Sequence, residues 1–85
     1  MRIIYSPGFV RAYKKLPLDI QTKAEKAEAL FRADPFDARL KTHKLSGRFS
    51  RFWSFSISAR CRIVFAFAKN DVAHFDLIGG HEVYK

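Results

Sequence analysis

The chain has 85 residues, 48% of them hydrophobic and 15% aromatic, which predicts one small folded domain and excludes a disordered segment. Its formal net charge of +8 favours a polyanionic partner, either nucleic acid or an acidic protein. One cysteine excludes an internal disulfide framework, and no apolar run approaches the roughly 20 residues that span a bilayer, so we expect a cytoplasmic protein with no membrane partner.

The N-terminal half predicts one strand followed by two helices. Residues 2–5 are short, apolar and β-branched, as in a strand. Ser6 and Pro7 favour a helix start, Pro17 ends that helix, and Pro35 follows the end of the next one. The second helix has one apolar stripe, formed by Ile20, Ala24, Ala27, Leu30 and Phe31.

The C-terminal half predicts three consecutive strands. Apolar side chains alternate with serines over residues 52–58 and recur at every second position over residues 61–67, with Arg62 on the opposite face. Residues 70–71, Asn and Asp, favour a tight hairpin turn before a strand over residues 72–78. The predicted class is therefore α+β in the order β-α-α-β-β-β, with a helical hairpin on one face of a mainly antiparallel sheet.

Positive charge is concentrated in one segment. No acidic residue lies between Asp37 and Asp71, and the interval contains Arg39, Lys41, Lys44, Arg48, Arg51, Arg60, Arg62 and Lys69. A local excess of this kind is typical of a protein that binds a polyanion. The predicted contacts with such a polyanion in this segment are Lys41, Lys44, Arg48, Arg51 and Arg60.

The residue types in this segment favour phosphodiester chemistry. No zinc motif, P-loop, dinucleotide fingerprint or nucleophile elbow occurs, so no metal or cofactor is expected. Arginine can stabilise developing negative charge and histidine can move a proton near neutral pH. Arg62, His43 and His81 are the candidates, although a strand-end arginine usually just reaches solvent and a tail histidine is usually incidental.

Two other residues have competing interpretations. Tyr84 is either core filler or a stacking platform for a base. His74 is assigned a structural role, on the strand face that it would share with Val72 and Ile78.

Four segments, in their order along the chain, resemble sequences of the RelE/ParE toxin superfamily, and within it the RelE, YoeB and YafQ-like ribonuclease branch. They are residues 43–47 (HKLSG), 53–54 (WS), 62–65 (RIVF) and 80–84 (GHEVY). The resemblance implies a single RelE-like domain over residues 1–85. It also implies a toxin that cleaves mRNA on the ribosome, and an acidic, partly disordered antitoxin as its partner.

The resemblance implies roles for four residues. His43 falls where relatives place a proton acceptor or positioning group, and Arg62 on the arginine that contacts the scissile phosphate. His81 falls on the proposed general acid or base, and Tyr84 near the aromatic that orients substrate. The implied mechanism is attack by the RNA 2′-hydroxyl, which needs no metal because the nucleophile lies within the substrate.

Two alternatives share the same fold. A ParE-like protein would inhibit DNA gyrase by binding and would lack the nuclease residues. A catalytically inactive member would only bind RNA.

Overall fold

The structure is a computed structural model in which residues 1–80 are described. Its elements are β1 (Arg2–Tyr5), α1 (Pro7–Lys14), α2 (Leu18–Ala33), β2 (His43–Lys44), β3 (Trp53–Ser58), β4 (Cys61–Ala68) and β5 (Val72–Gly79), with 3-10 turns at Ala38–Leu40 and Gly47–Phe49. The five strands form one sheet in the order β1-β5-β4-β3-β2. β1 is parallel to β5 and every other pair is antiparallel, so the predicted α+β class is confirmed.

Local signals explain where the helices begin and end. The Ser6 hydroxyl accepts a hydrogen bond from the Phe9 N–H at 2.9 Å and caps α1, with Pro7 at the first helical position. α2 ends where Asp34 turns extended (φ −161°, ψ 107°), the conformation favoured by a residue that precedes a proline. Within residues 1–80, no helix is long and apolar enough to cross a membrane.

The core is an aromatic cluster between α2 and the sheet. Phe31 of α2 is fully buried, and its ring centre lies 5.0 Å from that of Phe55, 4.9 Å from Phe65 and 5.2 Å from Phe75. The buried alanines of the α2 stripe present little volume, which lets the helix backbone lie close to the sheet. The predicted packing of the helices on one face of the sheet is therefore confirmed.

The hairpin between β4 and β5 has the predicted turn. Asn70 and Asp71 both have positive φ, 63° and 59°, as the two central residues of a type I′ turn do. The Asp71 carboxylate also lies 3.3 Å from the amino group of Met1. This turn therefore joins two strands and also contacts the start of β1.

A bulge in β5 corrects the assignment of His74. Phe65 pairs with Phe75 but Val64 pairs with Leu77, which leaves one extra residue, Asp76, in β5. The alternation shifts by one at that point, so Phe75 and Ile78 are both buried although they are three residues apart. His74 is exposed on the other face, and the prediction that it shares a face with Ile78 is wrong.

Candidate nucleic-acid interface

Cross-strand pairing assigns the key side chains to one face of the sheet. His43 pairs with Ser54, Ser54 with Val64, and Ser56 with Arg62. These residues alternate with the buried phenylalanines of β3 and β4, so they lie on the far face, meaning the sheet face away from the two helices. Ser54 and Val64 are buried there as well, while His43 is exposed and Arg62 half-buried.

His43 lies on the edge strand β2 with one ring nitrogen already engaged. Its Nδ1 is 3.0 Å from the carbonyl oxygen of Lys41, the C-cap of the first 3-10 turn, which has a left-handed backbone (φ 53°, ψ 40°). A carbonyl only accepts hydrogen bonds, so this contact requires a proton on Nδ1. In the neutral imidazole, Nε2 is then the proton acceptor, as a general base requires.

Arg62 lies in a cleft that we name the Arg62 cleft, about 530 Å³ in volume. Its lining consists of Arg39, Lys41, Ser56, Ile57, Ser58, Ala59 and Arg62. Three cationic side chains and two hydroxyls thus surround one concavity, and a guanidinium can bind a phosphate through two parallel hydrogen bonds. Two strand spacings and a two-residue offset place the Cα atoms of His43 and Arg62 roughly 12 Å apart.

Arg39 belongs to this cleft although it was not among the predicted contacts. It is held by Asp37, whose carboxylate accepts from the Arg39 Nε at 3.0 Å and from its Nη2 at 2.8 Å. These side-chain hydrogen bonds, with one from the Arg39 backbone N–H, lower the pKa of Asp37 to about 2. Asp37 and Arg39 are only two residues apart, but nothing in that spacing indicates that Arg39 lies beside Arg62.

The predicted RNA contacts do not all lie on one face. Lys41 lines the Arg62 cleft, and Arg60 is exposed in the turn between β3 and β4. Lys44 pairs with Trp53 and therefore lies on the helix side of the sheet. Arg48 and Arg51 lie over the rings of their neighbours Phe49 and Phe52, at 5.2 and 5.6 Å from the ring centres.

A second cleft on the far face contains His74. It has a volume of about 410 Å³ and is lined by Arg51, Phe52, Ala66, Phe67, Ala68, His74 and Asp76. Sequence alternation did not predict this cleft, because the bulge at Asp76, which puts Ile78 on the face opposite His74, arises from strand pairing. An exposed imidazole, a guanidinium and a phenyl ring together form a surface suited to a nucleotide.

Two predicted catalytic residues, His81 and Tyr84, lie outside the described residues. In the part of the chain that the structure describes, no group of three or more His, Cys, Asp or Glu residues is arranged to hold a metal ion.

The fold matches solved structures of several toxins, although no family model and no curated protein matches the sequence. A YoeB/ParE toxin from Agrobacterium tumefaciens has a TM-score of 0.80 at 18% identity, over 95% of this chain and 99% of that one. YafQ from E. coli has a TM-score of 0.79 at 17% identity, over 98% and 97%. RelE in the RelE-RelB complex from Pyrococcus horikoshii has a TM-score of 0.76 at 14% identity, over 93% and 92%.

The RelE-like fold inferred from the sequence is therefore confirmed: the chain has the α+β fold that YoeB/ParE, YafQ and RelE toxins share.

Proposed function

We propose that this protein is the toxin of a type II toxin–antitoxin system and an endoribonuclease that cleaves mRNA on the ribosome. The observation that supports the proposal best is the far face, where a proton-accepting His43 and the Arg62 cleft lie together. The shared fold adds support, because the matching structures are toxins by description.

The proposed reaction uses the substrate's own nucleophile. His43 Nε2 takes the proton of the RNA 2′-hydroxyl, and the 2′-oxygen attacks the adjacent phosphorus. The bond to the 5′-oxygen breaks, which leaves a 2′,3′-cyclic phosphate, and that oxygen receives a proton from the second acid–base group, for which His81 is the candidate. Arg62 stabilises the charge on the phosphoryl oxygens, since a guanidinium remains protonated throughout.

A translation assay with purified components tests this function. We expect the protein to cut mRNA within codons on programmed ribosomes, and the new 3′ ends to carry a cyclic phosphate. Intact mRNA together with inhibited gyrase would instead establish the ParE-like alternative. Intact mRNA with uninhibited gyrase would leave only an inactive member that binds RNA.

We also propose an acidic, partly disordered antitoxin as the partner. Two matching structures are complexes of this kind, RelE-RelB and the E. coli DinJ-YafQ toxin-antitoxin complex. The protein also has an apolar groove of about 320 Å³ between the helices and the sheet, lined by Tyr5, Phe9, Val10, Tyr13, Lys14, Ala24, Glu25, Glu28 and Ile63. Such a groove can bind apolar side chains of a partner, and salt does not screen these apolar contacts.

The complex with this antitoxin should therefore persist in 1 M NaCl. The measurement is co-purification of the protein with the acidic product of a neighbouring reading frame, followed by washing at increasing salt. Release of the antitoxin by moderate salt alone would contradict an apolar contribution to binding and would mean that only charge holds the complex together.

A further inference from the structure

A second basic cleft, along α2, adjoins the Arg62 cleft. This α2 cleft has a volume of about 430 Å³. Its lining comprises Lys23, Lys26, Ala27, Leu30, Arg39, Leu40, Ser56, Ile57, Ser58 and Ala59, of which Arg39 and residues 56–59 also line the Arg62 cleft. The two clefts thus share one wall, with Arg62 lining only the first and the exposed Lys23 and Lys26 only the second.

α2 separates its charges between two sides. Glu25 and Glu28 line the apolar groove on the α1 side, where Glu28 accepts from the Tyr5 hydroxyl at 2.7 Å and Glu25 from the Tyr13 hydroxyl at 3.4 Å. Burial, and then the hydrogen bond to Glu28, raises the pKa of Tyr5, so this phenol remains a donor. Lys23 and Lys26 lie on the opposite side, toward β3.

The lining of the two clefts is therefore cationic and hydroxylic. It contains Lys23, Lys26, Arg39, Lys41 and Arg62 together with Ser56 and Ser58, and no acidic residue among those described. Asp37 pairs with Arg39 but does not line either cleft. No described aromatic ring lines them, so the surface offers nothing on which a base would stack.

We propose that the two clefts form one groove that binds the sugar–phosphate backbone of single-stranded RNA beyond the cleaved linkage, with Lys23 and Lys26 each contacting a phosphate. This proposal rests on the proposed function, because the strand is taken to run on from Arg62. Several cations together with serine hydroxyls match a backbone that carries one negative charge per nucleotide. The groove would therefore contribute affinity independent of sequence.

The test measures binding and does not depend on cleavage. The probe is a fluorescent 12-nucleotide RNA with 2′-O-methyl groups throughout, which cannot react through its 2′-oxygen. The dissociation constant is measured from 0.1 to 1 M NaCl for wild type, for Lys23→Gln/Lys26→Gln, and for the matched variant Arg11→Gln/Lys15→Gln on α1 and its C-cap. All four side chains are exposed, so both variants should fold.

Each lost phosphate contact reduces the slope of log K against log salt by about 0.7 for a single strand, so we expect a decrease of about 1.4 for Lys23→Gln/Lys26→Gln. If the wild type and Lys23→Gln/Lys26→Gln bind the RNA equally at 1 M NaCl, this difference in slope makes the variant bind about 25-fold more weakly at 0.1 M. Arg11→Gln/Lys15→Gln should keep the wild-type slope. Equal slopes for all three proteins would overturn the proposal.

Two further outcomes separate this proposal from its alternatives. If a polyglutamate peptide of equal charge binds more tightly than the RNA and loses more affinity in Lys23→Gln/Lys26→Gln, the groove belongs to an acidic protein and the proposal is overturned. If the wild type cleaves no mRNA but the RNA slope still decreases in that variant alone, the groove stands and only the ribonuclease function is lost.

Discussion

Phe31→Ala is expected to lower the free energy of unfolding by about 3–5 kcal/mol, the usual loss for truncation of a buried phenylalanine. Phe31 is fully buried, and its ring contacts the three buried phenylalanines of the sheet: Phe55, Phe65 and Phe75. The truncation removes these contacts and leaves a cavity between α2 and the sheet. The surrounding strands cannot close it, because their rings are packed against one another.

Urea unfolding followed by circular dichroism measures this effect. Leu18→Ala is the control, since Leu18 is on the same helix but 79% exposed, and it should change the unfolding free energy by no more than about 0.5 kcal/mol. A loss below about 1 kcal/mol for Phe31→Ala would mean that α2 does not cover the sheet in this way.

Arg62→Lys is expected to reduce the rate of mRNA cleavage about 100-fold, the lower end of the loss when a transition-state donor is removed. Lysine keeps the charge but cannot make two parallel hydrogen bonds to one phosphate. The remaining cations of the cleft, Arg39 and Lys41, keep part of the electrostatic stabilisation. A lower rate in a variant that keeps the charge therefore shows that the two hydrogen bonds of Arg62 to the phosphate matter, beyond the attraction between opposite charges.

Single-turnover cleavage on programmed ribosomes measures this rate, with Arg11→Lys on the exposed side of α1 as the control. His43→Gln belongs in the same series, and loss of a proton-transfer group should cost about 10²–10⁴ in rate and remove the rise of rate with pH. If Arg62→Lys and His43→Gln both cleave within a few-fold of wild type, the mechanism proposed for the far face is wrong.

Local patterns predicted most of the fold. The cap at Ser6, the proline after Asp34, the period-two strands and the positive-φ turn at residues 70–71 all depend on neighbours in sequence, and all are observed. The parallel position of β1 beside β5 and the bulge at Asp76 arise from pairing across the chain. No local pattern carries that information, which is why the face of His74 was misassigned.

In the candidate site too, some residues follow from local sequence patterns and others only from the packing of distant segments. The alternation in β4 was enough to separate Arg62 from the buried side chains, and pairing with β3 then gives His43 the same face. Lys23 and Lys26 were missed because a helix of mixed charge shows no net excess in sequence. Only the packing of α2 beside β3 brings them next to Arg39.

The pairing of β1 with β5 fixes the order in which a nascent chain can complete its fold. Arg2 pairs with Val72 and Tyr5 with Phe75. β1, which is synthesised first, can therefore pair only after β5 has been synthesised. The helices form from local contacts, but the sheet closes only across about 70 residues, a slow step because long loops must be ordered first. The far face, which β4 and β5 help to form, is therefore absent until nearly all of these residues have emerged from the ribosome that makes them.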